Sequence, residues 1–189
     1  AEANTVPSGY TRVGAIKSSG SQSINTKYYA NANTRIEMDA IIPWPSEQVS
    51  YAAPFGTRYN KSPYTGQAIY PQMQKSNNTQ MRYFYNGQYY EQGVDPFSFG
   101  ERVMCVCDKS GLYWDGSKAG KILVAVAPLG VSYSTLAIFA ENAVTTVGAF
   151  SQGDPACMTL YSFKIYEGTT VMRNFIPCTN ASGVAGLYD

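Results

Sequence analysis

The strongest constraint on this chain is its cadence. Short runs that alternate apolar and polar residues are cut at intervals of about ten residues by turn-forming clusters. The clusters include Ser18-Ser19-Gly20-Ser21, Asn31 to Asn33, Asn86-Gly87, Asp108-Lys109-Ser110-Gly111, Asp115-Gly116 and Glu167-Gly168. Alternation with period two puts one set of side chains on each face of a strand. Gly, Asn and Asp supply the backbone conformations that reverse the chain. No segment carries a capped stripe of helical period. Short strands in this rhythm predict an all-β chain folded as an antiparallel two-sheet β-sandwich. With no internal repeat, linker or charge block, residues 1–189 read as one domain.

The clearest strands follow from the alternation itself. Thr34 to Ile42 puts Ile36, Met38 and Ala40 on one face and Arg35, Glu37, Asp39 and Ile41 on the other. Cys157 to Ile176 reads as a hairpin closed at Glu167-Gly168-Thr169-Thr170. In its first strand Cys157, Thr159, Tyr161, Phe163 and Ile165 are expected on one face, with Ser162, Lys164 and Tyr166 opposite. Met81 to Tyr85 and Tyr89-Tyr90 flank the Asn86-Gly87 turn, and Arg102 to Cys107, Leu112 to Trp114, Ile122 to Ala127 and Ser134 to Ala140 are further strands. Asn60 to Asn78, with Pro63, Gly66 and Pro71, is the least regular region. Gly148 to Pro155 reads as a loop.

Composition removes several function classes. Fourteen basic against thirteen acidic residues give no excess of positive charge of the kind a nucleic-acid footprint needs. The longest apolar run, about Ile122 to Ala127, is far short of the roughly 20 residues of a membrane helix. With no His in the chain, a Ser-His-Asp or Cys-His catalytic unit and a His-ligated metal are both excluded. No glycine-rich phosphate loop is present. Ala1-Glu2-Ala3 is either the residue of a cleaved signal peptide or an expression scar. The richness in Tyr, Asn, Ser and Thr suits a secreted or surface protein.

Four cysteines do not make a disulfide framework at this length. Cys105 and Cys107 share a strand face about 6.6–6.8 Å apart by strand rise. Without C-x-x-C spacing they read as small buried hydrophobes rather than zinc thiolates. Cys157 and Cys178 lie on the two strands of the terminal hairpin, where a bridge across it is conceivable.

Several stretches together resemble a laminin-G-like or concanavalin A-like jelly-roll domain of bacterial surface proteins, also met in phage tail proteins. They are Pro7 to Tyr10 with Gly20 to Thr26, Thr34 to Asp39, Gly111 to Gly116, Leu136 to Ala140 and Leu160 to Tyr166. The strongest match is Met172-Arg173-Asn174-Phe175-Ile176-Pro177-Cys178, followed by Gly183 to Asp189. The resemblance implies a non-catalytic, extracellular recognition or adhesion module with a glycan or other surface ligand, on a bacterial surface or in a phage virion. Such domains often continue past a Gly-Leu-Tyr-Asp stretch, which implies a module excised from a longer protein.

Three sets of residues are candidates for chemistry. Glu37 and Asp39 match the start of the E-x-D-x-x-E strand of concanavalin A-like endoglucanases, but Ile42 stands where the third carboxylate should be. A retaining glycosidase needs two carboxyls about 5–5.5 Å apart, so a solvated strand face is the better expectation and no catalytic residue is assigned. Trp44, Tyr59, Asn60, Tyr64, Tyr70 and Asn77 form a Tyr- and Asn-rich region suited to a sugar, whose CH faces stack on rings while amides fix its orientation. A site in that region or on the adjoining sheet is expected. The resemblance also implies calcium as an optional cofactor on loop carboxylates. Asp95, Asp108, Asp115 and Asp154 are the candidates, although turn chemistry accounts for Asp108 and Asp115.

Overall fold

A computed structural model describes residues 5–48, 52–73, 79–125 and 129–189, with side chains left out of the description at 69–73 and 79. Seventeen strands follow in chain order: β1 Tyr10–Arg12, β2 Ile16–Ser19, β3 Ile24–Tyr29, β4 Thr34–Ile41, β5 Phe55–Tyr59, β6 Thr65–Met73, β7 Thr79–Tyr85, β8 Gln88–Gly93, β9 Arg102–Asp108, β10 Gly111–Asp115, β11 Lys121–Leu123, β12 Thr135–Ile138, β13 Glu141–Val144, β14 Gln152–Gly153, β15 Cys157–Glu167, β16 Thr170–Asn180 and β17 Ala185–Tyr188. One 3-10 turn, Pro45–Glu47, interrupts them. No helix among the described residues is long and apolar enough to cross a membrane.

The strands form a two-layer β-sandwich. The larger sheet runs β1-β16-β15-β4-β9-β10-β11, with β17 on β16 and β2 on β15. The second layer holds β14-β13-β5-β12-β3 and, beside it, the meander β6-β7-β8. Among the described strands every pairing is antiparallel except β13 with β5. The layers meet through their alternating faces. Ile36, Met38 and Ala40 of β4, Cys105 and Cys107 of β9, and Leu112 and Trp114 of β10 are buried from one side. Phe55, Leu136 and Ile138, joined by Met81, Tyr83 and Tyr85 of β7, are buried from the other. Phe55 meets Phe163 edge-on across the interface at 5.5 Å. Such T-shaped pairs set the edge of one ring against the face of the other.

The expected alternation of β4 is what the fold shows. That of β15 is corrected. Met158 and Leu160 point inward in its first half, and Phe163 and Ile165 in its second. The register against β4 slips between Leu160 and Ser162. The β-bulge sets Tyr161 and Ser162 together opposite Asp39 and takes Tyr161 out of the core face.

The bridge left open across the terminal hairpin is not formed, and Cys157 and Cys178 are free. Beyond the Phe163–Phe175 pair the two strands take different neighbours. Cys157 pairs with Ser19 of β2, while Cys178 lies opposite Arg12 and Gly186. The region expected to be irregular holds the nine-residue strand β6, with Pro71 opposite Met81. Gly66 makes the approach of β6 to β5: a Cβ there would lie 2.0 Å from the Thr57 carbonyl oxygen. Its φ of +145° is also one that L side chains rarely adopt.

Candidate functional site

Strand alternation in the second layer sends Phe55 inward and Gly56 and Arg58 to the outer face. In β7 it sends Met81, Tyr83 and Tyr85 inward and Arg82 and Phe84 outward. A small apolar cluster of Ala53, Ala68 and Phe84, separate from the main core, forms the floor of this outer face. Polar groups are arranged over and beside it.

Glu141 begins β13 directly opposite Gly56 on one side and Gly153 on the other. A Cβ on Gly56 would lie 3.0 Å from the Glu141 Cβ, and one on Gly153 would lie 3.3 Å from its Cγ. Two glycines therefore make the slot in which the Glu141 side chain lies, with only 1% of it exposed. Arg58, two residues along β5 from Gly56, reaches over to ion-pair with Glu141 through Nη2. Its Nη1 donates to the Tyr89 hydroxyl at 2.6 Å. The Tyr89 ring packs on Phe84 at 5.0 Å, directly opposite it in the β7–β8 ladder. The Arg82 guanidinium lies 6.0 Å from the Tyr89 ring centre and is ion-paired with Glu91, its cross-strand neighbour.

Asp154 extends the row at the other end. It follows β14 with a φ of +44° and hydrogen-bonds to the Glu141 carboxyl. Burial pushes its carboxyl above the usual aspartate value, while the Arg58 charge and the Glu141 hydrogen bond pull it partly back. Burial likewise raises the Tyr89 phenol, against the lowering effect of Arg58. The result is a connected row, Asp154–Glu141–Arg58–Tyr89, continued by Arg82–Glu91. Two acids at one end and one at the other bracket the two arginines, ion pairs hold their side chains in place, and a half-exposed tyrosine ring stands between the arginines. Alternating donors and acceptors around a ring face can grip a polyhydroxylated ligand by pairs of hydroxyls.

The residues singled out from the sequence fall variously around this face. Tyr70 stands opposite Arg82 in the β6–β7 ladder, so its backbone borders the row. Tyr59 is buried, edge-on to Tyr133 at 5.1 Å, and so offers no open ring. Asn60 donates its backbone amide to the Val144 carbonyl, at the end of the same sheet. Tyr64 is 57% exposed and borders the β7–β8 turn, where a Cβ on Gly87 would lie 3.3 Å from the Tyr64 Cβ. Trp44 lies elsewhere, against Phe99 at 5.4 Å and with Lys118 5.8 Å from its ring. Asn77 lies outside the described residues.

Glu37 and Asp39 are on the outer face of the other sheet, and each is neutralised. Glu37 pairs with Arg35 and accepts from the Tyr166 hydroxyl at 2.9 Å. Asp39 accepts from Nε and Nη2 of Arg102 at 2.8 and 2.7 Å. Ile42 is fully buried. For calcium, the four loop aspartates do not converge: Asp108 caps the Ser110 amide at 2.7 Å, and Asp154 belongs to the row above. Among the described residues no three acidic or thiol groups are placed to hold a metal ion. Glu141, Arg58 and Tyr89 were not singled out from the sequence. The glycines at 56 and 153 were the available trace, but their pairing with Glu141 is visible only in the fold.

No protein-family model matches this sequence. No curated protein matches it either. Among solved structures the chain is similar to CG-16, a homodimeric agglutinin from chicken liver, with a TM-score of 0.38 and 9% identity over 77% of this chain and 100% of that one. It is also similar to the native heptameric SAP-like pentraxin of Limulus polyphemus, with a TM-score of 0.40 and 12% identity over 81% of this chain and 69% of that one. At such identities and scores the likeness says nothing about the site, which rests on its own geometry.

Proposed function

We propose that this chain is a non-catalytic recognition module that binds carbohydrate on the outer face of the second layer, around Tyr89. The observation that carries this reading is the fixed row Glu141–Arg58–Tyr89. A ring face is held open beside charged donors and acceptors whose directions are set before any ligand arrives. The ring supplies the stacking surface for sugar CH groups, and Arg58, Arg82 and Glu91 supply the flanking hydrogen bonds. We place the module at a bacterial cell surface or in a phage virion, with a weak single-site affinity that multivalent presentation would raise.

Catalysis is a poorer reading of the same carboxylates. Glu141 is paired with Arg58 and has only 1% of its side chain exposed, so its carboxylate is not presented to a substrate. Glu37 and Asp39 are each tied to an arginine. A glycan array followed by calorimetry on the best ligand tests the proposal. Binding that falls about tenfold or more in Tyr89→Ala, the loss of one stacked ring and its hydrogen bond, supports it. An array with no carbohydrate retained, with and without calcium, overturns it.

A further inference from the structure

The other sheet carries a separate opening at the bulge in β15. On one edge of that strand Cys157 to Leu160 pair with β2, and Phe163 to Glu167 pair with β16. Tyr161 and Ser162 fall between the two ladders, where the neighbour changes. Past Phe175, β16 turns to β1 and β17 instead, and the chain from Arg12 through Gly14 crosses the opening on its way to β2. The gap is a groove of about 260 Å³ floored by Phe175 and Ile176.

Its polar lining is unbalanced in charge. Arg12, Arg102 and Lys164 face it, against the single carboxylate of Asp39. Asp39 is already engaged by Nε and Nη2 of Arg102, which leaves Nη1 available. The Arg102 guanidinium lies 3.9 Å from the centre of the Tyr161 ring, so its plane is held from below as well as from the side. The neighbouring carboxylates are occupied elsewhere, Glu37 by Arg35 and Tyr166, and Asp189 by Arg173. Lys164 has no ion-pair partner among the described residues. Ser162 and Asn174 add neutral polar groups at the rim. A groove lined by an arginine preorganised by Asp39 and Tyr161 and by a lysine with no ion-pair partner among the described residues is a receptor for a compact oxyanion.

We propose that the groove at Tyr161–Ser162 binds a small oxyanion, a carboxylate or sulfate group, between Lys164, Arg12 and the free edge of Arg102. This site lies on the opposite layer from Tyr89 and does not rest on the carbohydrate reading.

The test is titration of the full chain with sodium glucuronate, inorganic sulfate and, as the neutral control, glucose, followed by amide chemical shifts. Saturable shifts at Tyr161, Ser162 and Lys164 with an anion but not with glucose support the proposal. Response to glucuronate alone assigns a carboxylate, to sulfate alone a sulfate, and to both a site that reads charge. Lys164→Met is expected to weaken binding roughly tenfold, with Lys164→Arg retaining most of it. Added chloride should weaken binding by screening. Tyr89→Ala should leave it unchanged, which separates this result from that of the carbohydrate experiment. No saturation with either anion, equal shifts with glucose, or full affinity in Lys164→Met would each overturn it.

Discussion

Arg58 and Glu141, 83 positions apart in sequence, form an ion pair in which the carboxylate is all but removed from solvent. Removing one partner of a buried pair strands the other charge, at a cost of about 3–5 kcal/mol when both are fully buried. Arg58 is partly exposed and recovers some hydration, so about 1–3 kcal/mol is expected for Glu141→Ala. Urea unfolding measures it; a loss under roughly 0.5 kcal/mol, the range of ordinary surface changes, would show that the pair holds nothing together.

Asp154→Asn should stabilise the protein at neutral pH. The folded state raises this carboxyl by burial, so above the ordinary aspartate range it holds a proton that the unfolded chain has lost. Stability therefore falls as pH rises through that window. Asn has no such proton and tolerates the positive φ of the position. Melting temperatures from pH 3 to 7 should rise less steeply toward acid in the variant than in the parent. Parallel curves would contradict the assignment.

Tyr28 makes the corresponding contribution at alkaline pH. Burial, together with the Glu167 carboxylate at 2.9 Å, raises its phenol to about 12. The neutral phenol is intact below 10, the ordinary tyrosine value, and the stability linked to it is lost as pH rises from there toward 12. Tyr28→Phe removes this titration, so its stability should decline less between pH 10 and 12 when followed by circular dichroism. An unchanged decline would mean that other groups govern alkaline unfolding.

The cysteines give a chemical check on the fold. Cys157 is half-buried, whereas Cys105, Cys107 and Cys178 are buried, the first two with sulfurs 3.6 Å apart. Burial also raises the Cys107 thiol, which disfavours its reactive thiolate. One thiol should react promptly with a maleimide in the native state and four after denaturation. Dithiothreitol should leave the melting temperature unchanged; a drop would reveal the bridge that the strand pairing excludes.

The sequence by itself determined the class of fold and most strands, because period-two alternation and turn residues act over a few neighbours. Ile36, Met38 and Ala40 announced their buried face in this way. It did not determine the phase of β15, since the bulge at Tyr161 arises from pairing with β4 and from the change of partner between β2 and β16. Nor did it determine β6, whose Pro71 and Gly66 read as breakers until β5 and β7 closed around them. The face proposed to bind carbohydrate was legible only as a Tyr-rich neighbourhood. Tyr59 and Tyr64 are alike in sequence, yet one is packed against Tyr133 and the other is open. Glu141 acquires its role from Gly56, Gly153 and Arg58, which are distant along the chain and adjacent only across strands. Ion pairing and burial depend on distance in space, so the residues that define both candidate sites were decided by the tertiary structure alone.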